Sequence, residues 1–94
     1  MVALEWLPEA QDDLKRLHDF ILPHSPQAAS RAIAVILKGV ESLAEFPEMG
    51  HPWEADTHYR ELPIRFGAKG YVVRYRLFAN RVIIARIWHG LEDR

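Results

Sequence analysis

The 94-residue sequence contains no cysteine, which removes disulfides and thiolate metal sites from consideration. No run reaches the roughly 18 uninterrupted apolar residues of a membrane span. Met1-Val2-Ala3-Leu4-Glu5 has no basic region and no long apolar stretch, so it does not read as a signal peptide. Glycine is sparse, with five residues, and none builds a phosphate-cradling loop ahead of a helix. There is no nucleophile elbow. The histidines His18, His24, His51, His58 and His89 form no i, i+4 pair, so neither a metal nor any other cofactor is expected. Repeats, linkers and low-complexity tracts are also missing. A soluble, cytoplasmic protein of one domain, 1–94, is expected, because so short a chain cannot divide its apolar residues between two cores.

What is present is enough for one core: 49% of residues are hydrophobic, ten of them aromatic. The net charge of -1 conceals a division. Residues 1–58 hold four Lys/Arg against ten Asp/Glu, whereas residues 59–94 hold eight against three. Such asymmetry points to a basic surface that meets a polyanion or an acidic peptide. The competing reading is that the halves neutralise each other across the fold.

Val2, Leu4 and Trp6 alternate as one side of a short strand, and Trp6 is assigned to packing. Pro8 suits a first helical turn, and Glu9, Asp12 and Asp13 favour the positive end of that helix dipole. Ala10, Leu14, Leu17 and Ile21 make its apolar stripe, which Pro23 ends. Ser25 is a plausible N-cap for a second helix with Pro26 at its first position. Its apolar period runs to Leu43 and Ala44, with Phe46-Pro47 closing it; Gly39 inside it has no evident reason. From Tyr59 the period becomes two. Leu62, Ile64 and Phe66 share a side, as do Tyr71, Val73, Tyr75 and Leu77, with Tyr71 and Tyr75 read as core. Gly67-Ala68-Lys69-Gly70 and Ala79-Asn80 are turns. Ile83, Ala85 and Ile87 are expected on one side of the last strand, with Arg86 and Trp88 on the other. Pro63 places its strand at an edge or at a bulge. The expected fold is α+β, β-α-α-β-β-β, with a helical hairpin on one face of a small antiparallel sheet. The free face would display Arg74, Arg76, Arg86 and Trp88.

Several segments in this order resemble the RelE/ParE toxins of type II toxin–antitoxin systems. They are Trp6-x-Pro8-x-Ala10-x-x-Asp13-Leu14, Phe46-Pro47-Glu48-Met49-Gly50, Tyr59-Arg60-Glu61-Leu62, Gly70-Tyr71-Val72-Val73-Arg74-Tyr75-Arg76 and Ile87-Trp88-His89-Gly90-Leu91-Glu92-Asp93. The resemblance spans nearly the whole chain and is closer to ParE. It implies a toxin that arrests growth of a bacterial cell, or stabilises a plasmid, and is neutralised by a cognate antitoxin. ParE-like members poison DNA gyrase without a chemical step; RelE-like members cut messenger RNA on the ribosome. Cleavage needs a base for the 2′-hydroxyl, an acid for the leaving oxygen and cations around the phosphate. RelE-like members take these from two lysines, an arginine after the Gly-Tyr pair, and a C-terminal arginine and tyrosine. Here the lysine positions fall on Arg60 and Leu62, the first arginine becomes Val72, and the second falls near Gly90, with no matching tyrosine after it.

Other ribonucleases of the superfamily use a glutamate, an arginine and a C-terminal histidine. On that pattern the catalytic candidates are His89 with Arg65, Arg74 and Arg86; the alternative is that His89 only closes the last strand. Arg60, Arg74, Arg76, Arg86 and Trp88 are the candidates for contact with the antitoxin or the target. The resemblance implies a ParD-type or similar antitoxin with an acidic segment, a toxin–antitoxin hetero-oligomer, and gyrase or the ribosome with its message as target. No membrane partner is expected.

Overall fold

Pro8 and Pro26 each open a helix at a position where the missing N–H costs nothing. The computed structural model describes residues 1–92. Its elements are β1 (Ala3–Trp6), α1 (Pro8–Ile21), α2 (Pro26–Ser42), β2 (His51–Pro52), β3 (Tyr59–Ile64), β4 (Tyr71–Phe78) and β5 (Arg81–His89). The Ser25 side chain caps α2 by accepting a hydrogen bond from the Ala28 N–H at 3.1 Å. This helix stops at Ser42, short of Phe46-Pro47, yet Leu43 and Ala44 remain buried in the turn beyond it.

The two helices pack on a five-stranded sheet ordered β1-β5-β4-β3-β2, so the α+β expectation holds. The sheet is mixed rather than wholly antiparallel. Consecutive strands β2 to β5 pair antiparallel, but β1 lies parallel to β5, with Ala3 opposite Arg81 and Trp6 opposite Ile84. Two-residue β2 borders β3 only at Arg60 and Glu61. Pro63 therefore lies where β3 is an edge, which tolerates its missing donor.

Ala10, Leu17, Ala32, Ile36, Val40 and Leu43 meet Leu62, Tyr71, Val73, Tyr75, Val82, Ile84 and Ile87 in a single core. A Cβ at Gly39 would lie 2.6 Å from Ile64 Cδ1, so a side chain there would have to displace the end of Ile64 where α2 meets β3.

The last strand corrects the expected alternation. Arg74 pairs with Arg86 and Tyr75 with Ile84, which leaves Ala85 as an extra residue in a β-bulge. Before the bulge Val82 and Ile84 face the core; after it, Ile87 does. Ile83 and Ala85 therefore do not share a side with Ile87. The bulge lies just past the end of β1, where the outer edge of β5 would otherwise be left bare. There α1 supplies side chains in place of a strand. Asp13 Oδ2 accepts the Ile87 N–H at 2.9 Å, and Arg16 Nη2 donates to the Ile87 carbonyl at 3.2 Å. Two residues one helical turn apart thus satisfy both backbone groups of Ile87, and the edge is closed to further strand pairing.

Candidate functional site

The sheet face turned away from the helices carries an arginine on alternate positions of β4, and β3 and β5 place aromatic rings beside them. Arg74 pairs across the ladder with Glu61, its Nε and Nη2 donating to Glu61 Oε2 at 3.1 and 2.8 Å. Both side chains are shielded, with 12% and 6% of their surface exposed. The Arg74 guanidinium also lies 3.4 Å from the Trp53 ring centroid and 4.5 Å from that of Trp88. Cation–π contacts of this desolvated kind contribute on the order of 2 kcal/mol. Arg74 thus has an internal carboxylate and two rings, and little of it meets solvent.

Arg86 is also engaged within the chain. The bulge turns it toward α1, where its Nε and Nη2 donate to Asp13 at 2.7 and 3.2 Å. Burial pushes the Asp13 carboxyl up. The bonds from Arg86 and the Ile87 N–H outweigh that and hold it below the usual carboxylate range. Arg16 bonds Asp13 and also Glu92, so one ionic cluster joins α1, β5 and the segment after it. Arg60 donates to the carbonyls of Glu48 and Gly50 at 3.2 and 2.6 Å. The Tyr75 hydroxyl donates to the Pro47 carbonyl at 2.8 Å and accepts from the Gly50 N–H at 2.9 Å. Together they fix the turn that follows α2 against the sheet.

Arg76 differs from the other sheet arginines. Its guanidinium lies 5.6 Å from the Tyr59 ring centroid and 5.2 Å from that of Phe78. Its buried Nε has no hydrogen-bond partner, and no carboxylate among the described residues is ion-paired with it. Arg65 is exposed and likewise has no ion-pair partner among the described residues.

His89 lies elsewhere, at the end of β5, edge-on to the Tyr71 ring at 5.4 Å. Its Nδ1 accepts the Leu91 N–H at 3.2 Å, and its own N–H is capped by Glu92. Tyr71 is buried, which raises its hydroxyl above its ordinary pKa. A groove of about 680 Å³ opens here, between Leu17, Phe20 and Ile21 of α1 and the Phe66–Lys69 turn. Arg65, Arg74 and Arg86 do not line it. His89 thus lines a groove without the three arginines named with it, although Arg86, on the same strand, shares with it the charge of Glu92.

Two carboxylates at the centre of these arrangements, Asp13 and Glu61, are not among the site residues expected from the sequence. Asp13 stands in the apolar stripe between Ala10 and Leu17, and an acid in that position is itself a signal of an internal partner. Glu61 gave no comparable sign, because its position opposite Arg74 depends on strand register. Trp53 lies outside any periodic segment, and its contact with Arg74 arises only from folding. Asp93, the last residue of the C-terminal motif, lies outside the described residues.

Comparison with known proteins agrees with this architecture. Residues 4–94 match the family described as ParE toxin of type II toxin-antitoxin system, parDE. Toxin RelE3 of Caulobacter vibrioides is 43% identical over 94 residues, covering 100% of both chains. Toxin RelE1 of the same organism is 40% identical over 85 residues, covering 90% of this chain and 89% of its own length. A solved structure described as a chromosomal ParDE TA system from P. aeruginosa superposes with a TM-score of 0.79 at 24% identity, covering 95% and 96% of the two chains. That likeness concerns the fold. The match across nearly the full sequence makes the chain a member of the RelE/ParE toxins of type II toxin–antitoxin systems.

Proposed function

We propose that this toxin acts by binding DNA gyrase, as ParE-like members do, and is held inactive by a cognate antitoxin. The observation that carries this reading is the commitment of Arg74 and Arg86 to carboxylates of the chain. A ribonuclease site needs cations free to meet a phosphate, next to a group that moves a proton. Arg74 is bonded to Glu61 and Arg86 to Asp13, while the groove that His89 lines is lined by neither of them. Phosphate could meet little of Arg74, which is shielded beside Glu61, and would have to share Arg86 with Asp13. A binding poison has no such requirement, since shape and exposed contacts suffice.

The test is a supercoiling assay with purified gyrase and folded toxin, scored for lost supercoiling and accumulated cleaved DNA. Normal supercoiling at a large molar excess of toxin sinks the proposal. A second reading, messenger RNA cleavage on the ribosome, is favoured by the names of the Caulobacter relatives and by the groove that His89, Lys69 and Tyr71 line together. New message ends in the ribosomal A site, mapped by primer extension, would establish it. The antitoxin partner is expected to present an acidic segment to the basic half of the chain and to form a hetero-oligomer with it.

A further inference from the structure

We infer that Arg76, with Tyr59 and Phe78, forms a contact site for single-stranded DNA. This rests on the gyrase reading and adds to it that the toxin touches nucleic acid directly. The first ground is an accounting of charge. Arg74 and Arg86 are matched by carboxylates, and Arg60 donates to two backbone carbonyls. Among the described residues Arg76 is the one of these four arginines bonded to neither a carboxylate nor a carbonyl, and its buried Nε has no acceptor. A buried donor without a partner is uncommon enough to call for an acceptor that arrives from outside. Asp56 is close enough to feel the Arg76 charge, but its bonds run through Oδ1 to the backbone and ring of His58 and it forms no ion pair with Arg76.

The second ground is the ring pair. Tyr59 stands opposite Arg76 across the β3–β4 ladder, and Phe78 is two residues along the same strand, so all three share one face. Phe78 is 53% exposed, so its ring is open to a partner from solution. A cation beside one exposed and one half-buried ring can track a phosphate and stack an unpaired base, and it accepts any sequence because every base has a π-face. An acidic peptide would satisfy the cation but would leave the rings without stacking partners. Duplex DNA would hide its bases from them.

The test measures fluorescence anisotropy of labelled oligothymidylate with the toxin alone, without gyrase. The wild type should bind, and binding should weaken as salt rises. Phe78→Ala and Arg76→Gln should each reduce affinity about tenfold or more; Phe78→Ala removes an exposed ring and leaves the core intact. Circular dichroism verifies the fold of each variant. Equal binding of oligothymidylate by both folded variants and wild type overturns the site. Equal affinity for duplex overturns the stacking, and preferential, Arg76-dependent binding of polyglutamate identifies an acidic-peptide site instead. Gyrase inhibition by wild type without any oligonucleotide binding overturns this inference alone. Oligonucleotide binding without gyrase inhibition counts against the gyrase reading and leaves this site standing.

Discussion

Arginines two positions apart on β4 have different consequences, and the difference is whether a carboxylate stands opposite. Replacing Arg74 leaves Glu61 shielded from water with its principal cation gone. Arg74→Ala should therefore destabilise by about 3–5 kcal/mol in urea unfolding. Arg74→Glu should be worse, since two carboxylates would face each other across the ladder, so a loss of partner binding in that variant would report misfolding. Arg76→Ala removes no ion pair, only its contacts with two rings, and should cost about 1 kcal/mol. Equal losses for the two alanine variants would refute this distinction. The Tyr75 hydroxyl is a further single-residue test. It holds both Pro47 and Gly50 from a fully buried position. Tyr75→Phe should cost about 1–3 kcal/mol, because the Gly50 N–H loses its acceptor. Hydrogen exchange at Gly50 should accelerate along with the lost stability.

Among the elements, the β4–β5 hairpin and the bulged half of β5 are where local chemistry and tertiary demand part company. The hairpin turns at Ala79 and Asn80, both with positive φ, 52° and 60°. Asn accepts that conformation, whereas Ala pays roughly 1 kcal/mol for it. Ala79→Asn should raise stability by about 0.5–1 kcal/mol, seen as a higher thermal midpoint, and a lower midpoint would disprove the turn assignment. The second half of β5 depends on α1 rather than on a neighbouring strand. Asp13→Ala removes the acceptor of the Ile87 N–H and the partner of Arg86 together. A loss of about 2–3 kcal/mol is expected, as for charged hydrogen bonds. With the edge of β5 uncovered, light scattering should also show this variant associating at concentrations where wild type does not.

At the scale of the whole molecule, the ionic cluster of Asp13, Arg16, Arg86 and Glu92 ties α1 and the segment after β5 into one body, and it sets the acid response. For both Asp13 and Glu92 burial pushes the carboxyl up, and for both the bonds they accept leave it lowered. A lowered folded value means the unfolded chain binds protons more readily, so this stability is complete above the unfolded values of about 4 and lost as pH falls through the folded ones. The thermal midpoint should be nearly flat from about pH 8 to 5 and fall below about pH 4, and Asp13→Asn should flatten that fall. An unchanged acid slope in the variant would remove Asp13 from this role. Much of the molecule was legible beforehand. The helices, their proline starts, the Ser25 cap, the alternation of β4 and the buried tyrosines all follow from neighbours within a few residues, and so does the family, whose segments lie in order along the chain. The β5 face switch was not legible, because a bulge is a property of two paired strands. Nor was the parallel seat of β1, which depends on the path of two helices between it and β5. The sequence alone determined how many arginines the sheet would carry and on which strands. Only the tertiary structure decided which of them would stay unpaired, because Glu61 and Asp13 come from distant positions, and a charge is neutralised by what folding brings near it.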